Sequence, residues 1–197
     1  LNASDRWIIS RLQQVESTVE KSIKDYRLDR MSQSLYSFTW DEYCSWYLEL
    51  SKVVLNDPEA SIESLRGTRR TLIRVLETLL RLLHPLTPFI TEEIWQRVAP
   101  LAGCSGETIM LQPYPVADET KIDTAAIAET EWLQSVIAGI RNLRGEMNIS
   151  PGKPLPILFQ NCNDQDQAWL KDNNKRLKTL ARIESITCIT NDETPPD

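Results

Sequence analysis

Phe38-Thr39-Trp40-Asp41-Glu42-Tyr43-Cys44-Ser45-Trp46-Tyr47-Leu48-Glu49 decides how this chain is read. The run holds two Trp, two Tyr and a Phe, with no Gly or Pro to interrupt it. It predicts part of one long helix, from about Asp29 to Val54, stopped before Asn56-Asp57-Pro58. At α-helical spacing Met31, Leu35, Phe38, Trp46, Leu50 and Val53 form a core-facing stripe. Tyr36, Trp40, Tyr43 and Tyr47 form a second stripe about a quarter-turn away. Exposed rings at such positions are platforms for unstacked bases. A helix in the middle of a bundle, touching two neighbours, also acquires a wide aromatic face. The residues alone leave both readings open. Glu42 and Glu49 fall on the apolar stripe, where buried carboxylates need Arg partners.

Working outward, a first helix is expected from about Ser4 to Tyr26, with Ile8, Leu12, Val15, Val19 and Ile23 at three- and four-residue steps. A third runs from near Ser61 to His84, where Pro85 ends or kinks it. Thr87-Pro88 restarts a fourth, Thr as N-cap and Pro at N1. From Ala99 to Asp123 the periodicity vanishes among prolines and glycines, which predicts a long surface connection. A fifth helix, about Thr124 to Met147, carries Trp132, Val136, Ile140, Leu143 and Met147 on one stripe. Ser150-Pro151-Gly152-Lys153-Pro154 breaks it. Beyond lie a strand at Leu155–Phe159, a helix from Gln165 to Arg182, and a strand at Ser185–Ile189, a small right-handed βαβ unit. The fold class is mainly α: a helical bundle over 1–150 with a small C-terminal α/β appendage over 151–197.

The 197 residues suffice to bury a full core, and 41% hydrophobic with 25% charged residues is a globular composition. No apolar run reaches the ~20 residues that span a bilayer. The N-terminal Leu1-Asn2-Ala3-Ser4-Asp5-Arg6 lacks the basic and apolar regions of a signal peptide and reads as a cut inside a longer protein. Cysteines 44, 104, 162 and 188 form no C-x-x-C pair and read as thiols in a reducing compartment. Net charge is −6, yet residues 61–103 hold six Arg against four Glu, a basic element in an acidic body.

That basic element is the third helix. Arg66, Arg70, Arg74 and Arg81 fall within one narrow arc over ~22 Å, with Glu77 among them and leucines opposite. Guanidinium groups along such a line suit a phosphate backbone, each forking onto phosphate oxygens. The alternative is a solvated face whose Arg pair with Glu of neighbouring helices. His84 reads as a hydrogen-bonded core or C-cap histidine. No nucleophile–histidine pair, Gly-rich phosphate loop or acidic metal cluster is legible, so no catalytic or metal-binding residue is assigned.

These segments resemble the anticodon-binding domain of class I aminoacyl-tRNA synthetases, in that family's order. Leu83-His84-Pro85-Leu86-Thr87-Pro88-Phe89-Ile90-Thr91-Glu92-Glu93-Ile94-Trp95 is similar to a block shared by the valine, isoleucine and leucine enzymes. Ser4-Asp5-Arg6-Trp7-Ile8, the Phe38–Glu49 run and the block from Ile140 to Lys153 look like the valyl-tRNA synthetases in particular, and Gly67-Thr68-Arg69 like their bacterial type. The resemblance covers nearly the whole chain and thins after Gln160. It implies a domain that binds the anticodon stem-loop of tRNA(Val), whose anticodons end in AC. Tyr36, Trp40 and Tyr43 would hold loop bases, and Arg66, Arg70, Arg74 and Arg81 the phosphates.

The parent implied is a cytoplasmic, monomeric valine–tRNA ligase that uses ATP and magnesium. Its His-Ile-Gly-His and Lys-Met-Ser-Lys-Ser signatures occur nowhere in this sequence. The resemblance thus implies a fragment without its catalytic and editing domains, holding no cofactor, and ending at Thr194-Pro195-Pro196-Asp197 ahead of a C-terminal arm. Its partners would be tRNA(Val) and those domains of the same polypeptide, with neither DNA nor membrane. An isoleucine-enzyme domain and a helical protein-interaction module are the alternatives. The Phe38–Glu49 run speaks against the first, and the order of the blocks against the second.

Overall fold

Residues 1–189 are described by a computed structural model, so the expectation about Thr194–Asp197 lies outside the described residues. They form two compact units, the first Leu1–Ile127 and the second beginning at Ala128. The Pro-rich break at 150–154 falls within the second.

In the first unit, α1 (Ala3–Lys24) opens on a capping box. Asn2 Oδ1 accepts from the Asp5 amide, and the Asp5 carboxylate from the Asn2 amide. Its buried face of Trp7, Ile8, Leu12, Val15 and Val19 follows the expected spacing. Asp5 does more than cap. Fully buried, it accepts from the Tyr47 hydroxyl at 2.8 Å through Oδ1 and from the Thr68 hydroxyl at 3.1 Å through Oδ2. One carboxylate thus joins three helices.

The expected second helix is present as a continuous rod but not as a continuous α-helix. α2 (Leu28–Ser37) passes into a π-wound segment, Phe38–Tyr47, and then into α3 (Leu48–Leu55). This corrects the stripes read at α spacing. At 100° per residue Phe38, Tyr43 and Tyr47 would spread over half the circumference. Winding closed by i→i+5 bonds turns only about 80° per residue and brings them onto one line. The buried stripe is therefore Met31, Leu35, Phe38, Tyr43, Tyr47, Leu50 and Val53, with Trp46 half-buried beside it. The Ser45 hydroxyl donates to the Trp40 carbonyl, five residues back, inside the widened turn. Glu42 has the Arg partner its position demanded: Arg11 of α1 forks onto it at 2.7 and 2.8 Å. Glu49 pairs with Lys52 instead.

α4 (Ile62–Leu83) starts at Ser61, whose hydroxyl accepts from the Ser64 amide, and His84 caps its end. Nδ1 of His84 lies 2.8 Å from the Thr91 hydroxyl of α5 (Pro88–Ala102). α5 outruns the expected stop at Ala99, passes through Pro100 and ends at Gly103, whose φ of 76° needs a residue without Cβ strain. Leu80, Trp95, Val98, Ala99 and Ile109 form a local core cluster.

The connection to 123 has little periodicity of its own because helix side chains satisfy its backbone. Glu92 accepts from the Ile109 amide, Gln13 from the Asp118 amide and Ser10 from the Asp123 amide. Arg81 and Tyr114 add bonds between it and α4.

α6 (Thr124–Glu146) supplies most of its length to the second unit. Its buried line is Thr130, Leu133, Ile137, Ile140 and Arg144, while Leu143 and Met147 are exposed. The expected stripe was therefore rotated by about one residue. The position after Ile140 belongs to an arginine, which periodicity in apolar residues passes over. β1 (Leu155–Gln160) and β2 (Ile183–Ile189) pair in parallel, with Phe159 opposite Cys188, as the strand–helix–strand pattern predicted. The helix between them is two, α7 (Asp164–Asp172) and α8 (Asn174–Ala181). They part at Asn173, whose buried amide side chain donates to Glu129 and to the Trp169 carbonyl.

Replacing Asp5 with Ala should destabilise the chain by ~3 kcal/mol, since it leaves two buried hydroxyls without their charged acceptor. Urea unfolding checks this. Tyr47→Phe should cost less in the Asp5→Ala background than in wild type, as coupled groups require.

Candidate nucleic-acid interface

The aromatics proposed from sequence divide by burial. Tyr36 and Trp40 are 62% and 60% exposed, with rings available to solvent. Tyr43 is 6% exposed, and its hydroxyl donates to the Leu72 carbonyl of α4 at 3.1 Å. Burial raises the Tyr43 phenol far above its ordinary range, so it stays a protonated donor. Tyr43 joins the rod to α4 and offers no open face. The π turn explains the split, since it swings Tyr43 toward Phe38 and Tyr47 and leaves Trp40 outside.

The arginines divide too. Arg66, Arg70 and Arg74 are exposed along one side of α4, over ~12 Å at helical rise. Arg69, not selected from sequence because it lies off the arc, is exposed next to them. Among the described residues Arg70 and Arg74 make no ion pair, and the charge of Arg66 acts on Glu63. Arg81 is different. Its side chain is 19% exposed, donates to Glu77 at 2.8 Å and to the Pro113 carbonyl at 2.8 Å, and holds the connection onto α4. Glu77, buried, also accepts from the Trp95 indole at 2.9 Å. Thus Arg81 belongs to the scaffold, while Arg66, Arg70 and Arg74 face outward.

What the arrangement can do is bind a flexible anionic polymer. Two solvent-facing rings, four residues apart, can stack planar groups, and outward guanidiniums can bond phosphate oxygens. The link from Tyr43 to Leu72 makes the aromatic rod and the arginine helix direct neighbours. The supporting residues, Asp5 with Thr68 and Arg11 with Glu42, were missed as a network. Their only signals were a capping-box aspartate and an acid on an apolar stripe.

A family model described as the anticodon-binding domain of tRNA ligase matches residues 5–159. The chain belongs to this family, a class of RNA-reading domains carried by tRNA ligases. Both the aromatic rod and the arginine helix lie inside the matched span.

Beside Arg81 sits a buried acid of α1. Glu16 is 5% exposed, and its Oε2 has no hydrogen-bond partner among the described residues. Burial pushes its carboxyl up to about 7, against the opposing charges of Lys121 and Arg81 and with some help from Asp118. A raised folded pKa means that the folded state holds its proton more tightly. The favourable contribution is full below the unfolded value near 4.5 and is lost as pH rises through 7. Glu16→Gln should therefore stabilise the chain by on the order of 2 kcal/mol at pH 8 and leave it unchanged at pH 4. Thermal unfolding at the two pH values measures the difference.

Proposed function

We propose that this chain recognises the anticodon stem-loop of tRNA(Val) as part of a valine–tRNA ligase. The observation that carries the reading is the pairing of exposed Tyr36 and Trp40 on one helical rod with outward Arg70 and Arg74, without an ion pair among the described residues, on the helix that packs against it. Rings stack on loop bases and contribute to telling them apart; the arginines hold the loop's phosphates without reading sequence. Preference for valine rests on the likeness of three blocks, Ser4–Ile8, Phe38–Glu49 and the one from Ile140 to Lys153, to that branch. Residues from all three take part in packing: Asp5 bonds Tyr47 of the second, and Arg144 of the third is buried.

Binding at a surface of this kind selects a tRNA and orients it for chemistry performed elsewhere in the ligase. Since the class I nucleotide-binding signatures are absent from its sequence, the chain by itself should give no valine-dependent ATP–pyrophosphate exchange. Exchange in a preparation proven free of host enzyme would contradict this.

Titration with tRNA(Val), tRNA(Ile) and a random hairpin, followed by tryptophan fluorescence, tests specificity. Trp40→Leu should erode the preference for anticodons ending in AC by ~1–3 kcal/mol. Arg70→Gln with Arg74→Gln should weaken all three RNAs alike and flatten the salt dependence. Tyr43→Leu should instead lower stability, because its ring is buried and its hydroxyl bonded. Equal affinity for every RNA would leave the tRNA(Val) assignment without support.

A further inference from the structure

The second unit rests on a sheet of only two strands, which is marginal by itself. Its strands are clamped where they begin. The buried Arg144 guanidinium donates to the Ser150 and Lys153 carbonyls ahead of β1 and to the Ala181 and Arg182 carbonyls ahead of β2. At the far end, where Gln160 lies opposite Ile189, two thiols meet. Cys188 stands opposite Phe159, so these two side chains share a face of the sheet. Beyond Gln160 the chain turns at Asn161, whose φ of 63° is left-handed, passes Cys162 and starts α7 at its N-cap, Asn163. Both cysteines are free thiols, and their side chains are hydrogen-bonded to each other.

That bond has a direction. Burial, and after it this bond, raise the Cys162 thiol to about 11, so Cys162 keeps its proton and donates to the Cys188 sulfur. Cys188 is exposed, and a soluble oxidant reaches it first. Cys162 is half-buried and stands ready as the second sulfur. Cys44 and Cys104 belong to the first unit, and burial raises both of their thiols.

We propose that Cys162 and Cys188 are a redox-sensitive pair, closed by a hydroperoxide into a disulfide that ties the end of β2 to the start of α7. This does not rest on the RNA-binding reading. The Cys188 thiolate attacks one peroxide oxygen, and the O–O bond breaks. Cys188 becomes a sulfenic acid, and the departing hydroxide takes up the proton that Cys188 had released, giving water. The Cys162 sulfur then attacks the Cys188 sulfur. The S–S bond forms as the S–O bond breaks, and the Cys162 proton leaves with that hydroxide as a second water. Two thiols lose two electrons, and the peroxide gains them. A dithiol reductant reverses the change by two exchange steps and leaves as its own cyclic disulfide.

The test uses the full 197-residue chain, fully reduced and then treated with stoichiometric hydrogen peroxide. Thiol titration should fall from four free thiols to two. Non-reducing peptide mapping should find one linkage, Cys162 to Cys188 within a single chain, and dithiothreitol should restore all four thiols. Cys162→Ser should leave Cys188 as a sulfenic acid that dimedone traps, whereas Cys188→Ser should leave Cys162 unreacted. Thermal unfolding confirms that each variant folds; mapping of the wild-type chain tests the linkage even where one does not. Survival of all four thiols, a linkage to Cys44 or Cys104, or a linkage between chains would overturn the proposal. Dimedone capture on Cys162 in Cys188→Ser, at the rate seen for Cys188 in Cys162→Ser, would overturn the roles given to the two sulfurs.

Discussion

The Asp5 carboxylate is the constraint on which the first unit depends. It is buried, caps α1, and accepts hydroxyl bonds from Tyr47 on the rod and Thr68 on α4. A buried carboxylate is tolerable only when its lone pairs are filled, so these partners must arrive together for any of the three helices to settle. Tyr47 can meet Asp5 while Phe38 and Tyr43 also face inward only because the rod is π-wound between Phe38 and Tyr47. The outward presentation of Trp40 is a consequence of that winding. An interaction at the start of the chain therefore sets which aromatic ring faces solvent more than thirty residues later.

The arginines show how the same residue type serves scaffold and surface. Arg11 forks onto Glu42, Arg81 bridges Glu77 and the Pro113 carbonyl, and Arg144 fills four carbonyls. Each replaces apolar packing where the chain must turn or where helices meet around an acid. Arg66, Arg70 and Arg74 are exposed, and Arg70 and Arg74 make no ion pair among the described residues. A mostly buried pair such as Arg81 with Glu77 gains little from its charges after desolvation, but removal of one partner strands the other, so it resists change. Outward arginines can change at small cost in stability.

Much of this was legible in the sequence. Helix positions followed from apolar periodicity, capping residues and prolines, and the parallel strand pair from the pattern change after Pro154. Which face each helix buries was less legible. Tyr43 and Tyr47 joined the buried line and Trp46 fell to its side because π winding has no signature in apolar spacing. On α6 the line from Leu133 to Ile140 ends on Arg144, and a pattern that counts only apolar residues chose Leu143 and Met147 instead. For the candidate surface, residue types were legible and burial was not. Arg81 differs from Arg74 through Glu77, four residues before it, and through Pro113, thirty-two residues away, which no local pattern reveals.

The central claim is that solvent-facing rings of the π-wound rod meet anticodon bases. Ultraviolet cross-linking of the chain to the tRNA(Val) anticodon stem-loop, with mass spectrometric mapping of the adducts, tests it most directly. The account predicts adducts on peptides containing Tyr36 and Trp40, formed with loop nucleotides and reduced when the anticodon no longer ends in AC. Adducts confined to other peptides, or equal yields with an unrelated hairpin, would contradict it.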